Sequence, residues 1–177
     1  MTNTPKLLAL AAATALAIMP ATASAGSGPK GNLVAAAMSS KDHETLVAAV
    51  KAAGLVDTLA SSGPFTVFAP TDAAFAKLPA GTVDTLLQPA NRDQLRAVLT
   101  YHVVPGKVTS AQLVELIGKN GGKAKLTTVQ GGTLTASLSG NSVLITDAAG
   151  GAAKVTAADL LQSNGVIHVT DAVSLPM

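Results

Sequence analysis

The chain contains no cysteine and no tryptophan, and its aromatic residues amount to one tyrosine and three phenylalanines in 177 residues. Without cysteine there can be no disulfide, no thiolate metal ligand, no cysteine nucleophile and no lipidated cysteine of the bacterial lipoprotein kind. Charge is sparse too, with 12 lysines and arginines against 10 aspartates and glutamates. Phosphate-backbone binding needs many cations on one face, interleaved with aromatics where single strands are to stack. The one basic cluster, Lys119, Lys123 and Lys125, flanks Asn120-Gly121-Gly122 and reads as a solvated turn, so no nucleic acid is expected as a partner.

Catalytic constellations are equally thin. The three histidines, His43, His102 and His168, are not paired at helical or strand spacing, so no two of them offer themselves to one metal. His43 sits among polar residues at a helix start and is expected to be exposed; His102 and His168 are expected to hydrogen-bond within the fold. There is no Gly-x-Ser-x-Gly elbow and no phosphate loop ending in Gly-Lys-Ser/Thr. Ser27-Gly28-Pro29-Lys30 matches Ser-x-x-Lys, but it falls in a segment with nothing rigid to orient the lysine. No cofactor is expected. The enzymatic alternative is a hydrolase or metal-dependent enzyme built on Asp72, His102 and His168; Asp72 could equally complement the dipole of the helix it opens.

What is present begins with an export signature. Lys6 precedes an apolar run from Leu7 to Met19, then Pro20 and Ala21-Thr22-Ala23-Ser24-Ala25, the three-part layout of a secretion signal, with cleavage expected after Ala25. That run falls short of the ~20 apolar residues that span a bilayer, and no later segment is longer. Residues 1–25 are therefore read as a signal peptide, 26–31 as a flexible leader and 32–177 as one domain. The mature protein is expected to be soluble, without a membrane span, monomeric, and located in the periplasm or outside the cell.

From Asn32 to Leu116 the pattern is mainly helical. Leu46, Val47 and Val50 recur on one face, Asp42 is a candidate cap, and Gly54 supplies a left-handed stop. Asn91 with Gln94, and Thr109 with Gln112, each have the spacing of a capping box. Gly63-Pro64 interrupts the helices, and Phe65-Thr66-Val67-Phe68 reads as a strand ended by Pro70, after which Thr71 caps a short helix carrying Phe75 and Leu78. Beyond residue 122 strands and glycine turns take over. Segments 125–130 and 133–138 flank Gly131-Gly132, the signal of a two-residue hairpin; 143–146 is a third strand; 154–161 and 166–173 flank a turn at Asn164-Gly165. Helices followed by an antiparallel meander, with one early strand returned to the later sheet, give an α+β fold.

Three of these segments resemble a known family. Thr66-Val67-Phe68-Ala69-Pro70-Thr71-Asp72-Ala73-Ala74-Phe75 resembles the first box of the fasciclin (FAS1) domain, Tyr101-His102 its central Tyr-His motif, and Asn164-Gly165-Val166-Ile167-His168-Val169-Thr170-Asp171 its second box. The likeness runs from about Asn32 to Pro176 and departs mildly at Thr170 and Ser174, where apolar residues are common. It implies a wedge-shaped β-sandwich with helices along one side, in a secreted bacterial member of a non-enzymatic family of adhesion and matrix proteins. The partner would be an extracellular or envelope protein or polysaccharide. In animal relatives the Tyr-His region is linked to integrin binding, which makes Tyr101 and His102 the partner-binding candidates here. Packing inside the fold is the other reading of that pair, and Thr66, Phe68, Pro70, Thr71, Asp72, Phe75, Asn164, Gly165, His168 and Asp171 are structural members of the boxes.

Overall fold

The computed structural model describes residues 31–176; the expected signal peptide and most of the leader lie outside them. The N-terminal half is helical: α1 Leu33–Ser39, α2 Glu44–Ala53 and α3 Val56–Ala60, then β1 Phe65–Pro70, α4 Asp72–Ala76, α5 Thr82–Leu87, a 3-10 turn Pro89–Asn91 and α6 Arg92–Tyr101. β2 Val103–Pro105 and α7 Ser110–Lys119 lead into the strands β3 Lys123–Thr127, β4 Thr133–Ser139, β5 Ser142–Thr146, β6 Ala152–Gln162 and β7 Gly165–Thr170.

The seven strands run in the order β2-β1-β7-β6-β5-β4-β3, with β1 parallel to β7 and every other pair antiparallel. β6 belongs to both halves: its start pairs with β5 and the rest with β7, across two register shifts. Such bulges bend a strand, and here the bend folds one half of the sheet over the other. The outermost strands also approach each other, and the Val129 N–H donates to the Val103 carbonyl at 2.8 Å. The result is a nearly closed sandwich.

Side-chain alternation follows from this shape. β3 and β5 bury every second residue, and β4 does so through Leu134 and Ala136 before Leu138 emerges, because one face looks inward and the other meets water. β7 is buried along its whole length and β1 nearly so, because the helices cover their outer face. Two cores result. Val67, Ala69, Ile167 and Val169 pack outward against Leu46, Ala49, Val50, Leu95 and Leu99 of the helices. On the other side Phe68, Tyr101, Leu113, Ile117, Leu134 and Ile145 fill the sandwich interior.

Several local expectations hold: Gly54 ends α2 at φ 69°, Thr71 caps α4, and Thr109 with Gln112 forms a reciprocal capping box on α7. Four do not. Asp42 does not cap α2; His43 occupies the N-cap position without a side-chain bond, and the free amides go to a residue far along the chain. Asn91 forms no box with Gln94, because its side-chain amide donates to the Thr85 carbonyl at 2.7 Å. The β3–β4 connection is a five-residue loop, since the ladder ends at Thr127↔Thr133 and Thr128 closes it with bonds to Gly131 and Gly132. Lastly, His43 is buried, only 7% exposed, under the end of α1, with Ser40 Oγ 2.7 Å from its Nδ1.

Candidate functional site

α6 buries Leu95, Val98 and Leu99, and at its end the chain turns straight into β2. Tyr101 and His102 sit at that corner, and both lie inside the molecule, at 1% and 2% exposure. Tyr101 falls into the sandwich interior. Its hydroxyl donates to the Thr133 carbonyl at 2.9 Å and accepts from the Ala148 N–H at 3.0 Å, so one side chain ties α6 to β4 and to the β5–β6 turn. The ring lies against Gly132, where an added Cβ would stand 2.4 Å from Cε2. That close approach leaves no room for a side chain at position 132.

His102 turns the other way and forms part of the wall of an apolar cavity between α1, α2 and the sheet. Its Nδ1 is 2.7 Å from the Val98 carbonyl, and its Nε2 accepts from the Ser174 N–H at 2.9 Å. A carbonyl can only accept and an amide can only donate, so the ring is neutral with its hydrogen on Nδ1. Burial pushes its pKa below the ordinary 6.5, against the opposing pull of the Val98 carbonyl and the Asp147 charge. Asp147 continues the latch: its carboxylate accepts from Gly151 N at 2.6 Å and from Leu175 N at 3.0 Å, so the C-terminal tail is held by His102 and Asp147 together.

The first box is a set of fasteners. Thr66 Oγ1 donates to the Gly106 carbonyl at 2.7 Å and accepts from Val108 N at 2.8 Å, pinning the β2–α7 connection to β1. Phe68 stacks on His168 with centroids 5.5 Å apart, while Pro70 and Phe75 are buried on either side of the β1–α4 turn. Thr71 Oγ1 accepts from Ala74 N at 3.2 Å. Asp72 accepts from Thr45 N at 2.8 Å and Glu44 N at 3.3 Å, so it caps α2 across space. Burial alone would raise the Asp72 pKa; the bonds from Thr45 and Glu44 and the neighbouring His43 outweigh it and hold the carboxyl below 3.8.

The second box works in the same way. Asn164 accepts from Leu33 N at 2.9 Å and donates to the carbonyls of Leu59 and Ser61 at 2.7 and 2.8 Å, while its own carbonyl takes the Phe65 N–H. One residue thereby joins the start of α1, the end of α3 and the start of β1. Gly165 is required by proximity, since a Cβ there would meet the Phe65 carbonyl oxygen at 2.0 Å. His168 Nε2 is 2.8 Å from the Val108 carbonyl, and Nδ1 faces Asp159 N at 3.4 Å. Its pKa is lowered by burial, opposed by the Val108 bond and Asp159. Asp171 accepts from Lys154 N at 2.8 Å, and its carbonyl takes Lys77 Nζ at 2.7 Å. The two departures from the family pattern are accommodated: buried Thr170 donates to the Ala172 carbonyl, and Ser174 supplies the amide that His102 receives.

Asp72, His102 and His168 are not brought together. His102 opens to the helical side, His168 faces the sandwich interior against Phe68, and Asp72 stands at the start of α2. Among the described residues no three His, Asp or Glu side chains cluster as a metal site would. Sequence reading missed Asp159, whose carboxylate accepts from Ser110 N at 2.7 Å and from the Ser110 hydroxyl, capping α7. It lies at the β6 bulge with φ 58°, a conformation that aspartate tolerates better than most residues. No local pattern marks it. Asp147 was legible in principle, because an aspartate before Ala148-Ala149-Gly150-Gly151 suits a turn closed onto its own carboxylate.

The Fasciclin domain model matches residues 41–176. The chain is 48% identical to protein sll1483 of Synechocystis sp. over 144 residues, 81% of this chain and 73% of that protein. It is 37% identical to the immunogenic protein MPB70 of Mycobacterium bovis over 146 residues, 80% of this chain and 67% of that one. Among solved structures, a FAS1 domain pair from the insect cell adhesion molecule fasciclin I superposes with a TM-score of 0.72 at 20% identity. That match covers 82% of this chain and 51% of the pair, and it bears on fold alone. The chain belongs to the fasciclin family, a family of non-enzymatic adhesion or matrix proteins.

Proposed function

We propose that the protein is an exported, single-domain binding module that contacts an extracellular or envelope protein or polysaccharide through its outer surface. Tyr101 and His102 act in it as fasteners and not as contact residues. The observation that carries this reading is the use made of the motif side chains. The hydroxyl of Tyr101 and both ring nitrogens of His102 are bound to backbone groups of the fold, and both residues are sealed from water. A buried group with its bonds already made has nothing to offer a partner until the fold opens. No helix among the described residues is long and apolar enough to cross a membrane.

The test is capture of envelope and matrix fractions on the immobilised mature protein, with Tyr101→Phe and His102→Gln alongside at a temperature where all three are folded. Saturable capture, equal for the three proteins, is expected. No saturable partner in any fraction would sink the module reading. Capture lost in a folded Tyr101→Phe protein would return that residue to the interface.

A further inference from the structure

Two Asn-Gly pairs occur in the chain, Asn120-Gly121 and Asn164-Gly165, and the fold treats them in opposite ways. Such a pair is chemically labile, because the main-chain nitrogen after the asparagine can attack the side-chain amide, and glycine, having no Cβ, leaves that approach open. The other asparagines of the described residues, Asn32, Asn91 and Asn141, precede Leu33, Arg92 and Ser142, whose side chains crowd the same approach.

Asn164 is locked. Its Oδ1 accepts from the Leu33 N–H, its Nδ2 donates to the carbonyls of Leu59 and Ser61, and its own carbonyl accepts from the Phe65 N–H. Gly165 is buried against β1 at the start of β7. To reach the Gly165 nitrogen, the Asn164 side chain would have to give up all three of its bonds and with them the junction of α1, α3 and β1.

Asn120 is held by far less. It is the exposed C-cap residue of α7, and its side chain makes one bond, from Nδ2 to the Leu116 carbonyl at 2.8 Å. The Gly122 N–H donates to the Ile117 carbonyl at 2.8 Å, the outer bond of a Schellman closure. The inner bond, from the Gly121 N–H to the Gly118 carbonyl, is not made, and the Gly121 N–H finds no other acceptor among the described residues. Gly121 and Gly122 lie at φ 72° and 98°, with no atom within 4 Å of where a Cβ would stand on either. Rotation about the Asn120 Cα–C and Cα–Cβ bonds therefore meets no packing on the glycine side, and the bonds it breaks belong to a helix end, where helices fray.

We infer that Asn120 is a site of spontaneous deamidation in the folded protein and that Asn164 is not. The Gly121 nitrogen attacks Asn120 Cγ; the N–Cγ bond forms, the Cγ–Nδ2 bond breaks, and ammonia leaves carrying the proton that the Gly121 nitrogen gives up. Water then opens the cyclic imide, giving aspartate when the new N–Cγ bond is cleaved and isoaspartate when the original main-chain bond is cleaved. Either product sets a negative charge among Lys119, Lys123 and Lys125, at the negative end of the α7 dipole, and isoaspartate also lengthens the main chain between α7 and β3 by a methylene. The inference does not depend on the adhesive role proposed above.

The experiment is prolonged incubation of the mature protein, folded and in denaturant, in mildly alkaline buffer made with heavy-oxygen water, followed by peptide mapping with mass spectrometry. In denaturant the two peptides should convert at comparable rates, since both have glycine next. In the folded protein the Asn120 peptide is expected to convert roughly tenfold faster than the Asn164 peptide or more, because each hydrogen bond surrendered slows the reaction by a factor of several. Its product should carry heavy oxygen and include isoaspartate. Asn120→Ser should remove the acidic species that ion exchange resolves from the aged parent. The inference is overturned if the folded protein converts both peptides equally fast, if Asn120 keeps its amide while the denatured chain loses it, or if aged Asn120→Ser accumulates as much acidic species as the parent.

Discussion

The two cores of this domain are built to different standards. The sandwich interior is filled, with Tyr101, Phe68, Leu113, Ile117, Leu134 and Ile145 all at or below 1% exposure, and the hydroxyl of Tyr101 and both nitrogens of His168 are engaged. The helical layer is looser: cavities flank α1, and His43 keeps an unpaired nitrogen. A tightly packed interior resists change because every atom has neighbours on all sides, whereas a layer with free volume can shift to fill a hole. The sandwich is therefore the part that specifies one structure, and the helical layer the part able to adapt to a ligand or a partner.

The largest effect should come from truncating equivalent leucines on the two sides. Leu134→Ala, in the closed interior at 0% exposure, is expected to destabilise by about 4 kcal/mol, toward the upper end for buried leucines. Leu46→Ala borders existing free space in the helical layer, where α1 and α2 can settle inward, and is expected to cost about 2 kcal/mol. Chemical unfolding of both variants decides the matter. Equal losses would show that the layers are equally rigid and that the contrast between them is only geometric.

Next in size is Tyr101→Phe, which keeps the ring and removes the oxygen. It strands the Thr133 carbonyl and the Ala148 N–H and should cost about 1–3 kcal/mol. A loss close to zero would mean that water replaces the hydroxyl and that the interior is less closed than its exposures indicate.

A smaller pair of effects separates the two helix caps. Asp72→Ala removes the acceptor for two α2 amides and should cost about 1 kcal/mol. Asp159→Ala leaves the Thr109–Gln112 box of α7 in place but removes the acceptor of the Ser110 N–H, and it also leaves an alanine at φ 58°, so about 2 kcal/mol is expected, since the left-handed conformation itself is unfavourable by roughly 1–2 kcal/mol. Asp159→Gly should recover the backbone share. If the glycine and alanine variants lose equally, the strain argument at the β6 bulge is wrong.

These pairs also mark how far the sequence could be read. Contacts between near neighbours were legible: the Thr109–Gln112 box, the Thr71 cap and the Gly54 stop all satisfy amides within a few residues, so their spacing announces them. The return of β1 to the sheet was legible as well, because an isolated run of Phe65 to Phe68 can find a partner only in the later strands. Asp72 and Asp159 cap helices that begin 28 and 49 positions away, and nothing at either end names the other. His43 was misplaced because its neighbours in sequence are polar while its neighbours in space are α1 and Ala69. Tyr101 and His102 were flagged as a pair, yet only the fold sends one ring into the sandwich and the other to the helices.

The mildest perturbation needs no mutation. His102 carries its hydrogen on Nδ1 and His168 on Nε2, each facing a carbonyl, and the opposite nitrogen of each faces an amide N–H. A second proton would set a ring N–H against a backbone N–H, so folding favours the neutral rings, and both pKa values lie below 6.5 because of burial. The unfolded chain then binds more protons than the folded one below 6.5, and stability must fall as pH falls. This contribution is complete above the unfolded value of 6.5 and is lost as pH drops through the folded values. Asp72 and Asp159, held below 3.8, add a second loss only in stronger acid. Denaturant midpoints measured from neutral pH downward should decline in two steps, the first beginning near 6.5. His102→Gln, which can donate to Val98 and accept from Ser174 without titrating, should shrink the first step to the share of His168, and amide exchange at Ser174 should quicken less through it. A midpoint unchanged from neutrality to the carboxylate range would mean that neither imidazole is locked, and with it would go the closed interior on which the contrast between the two cores rests.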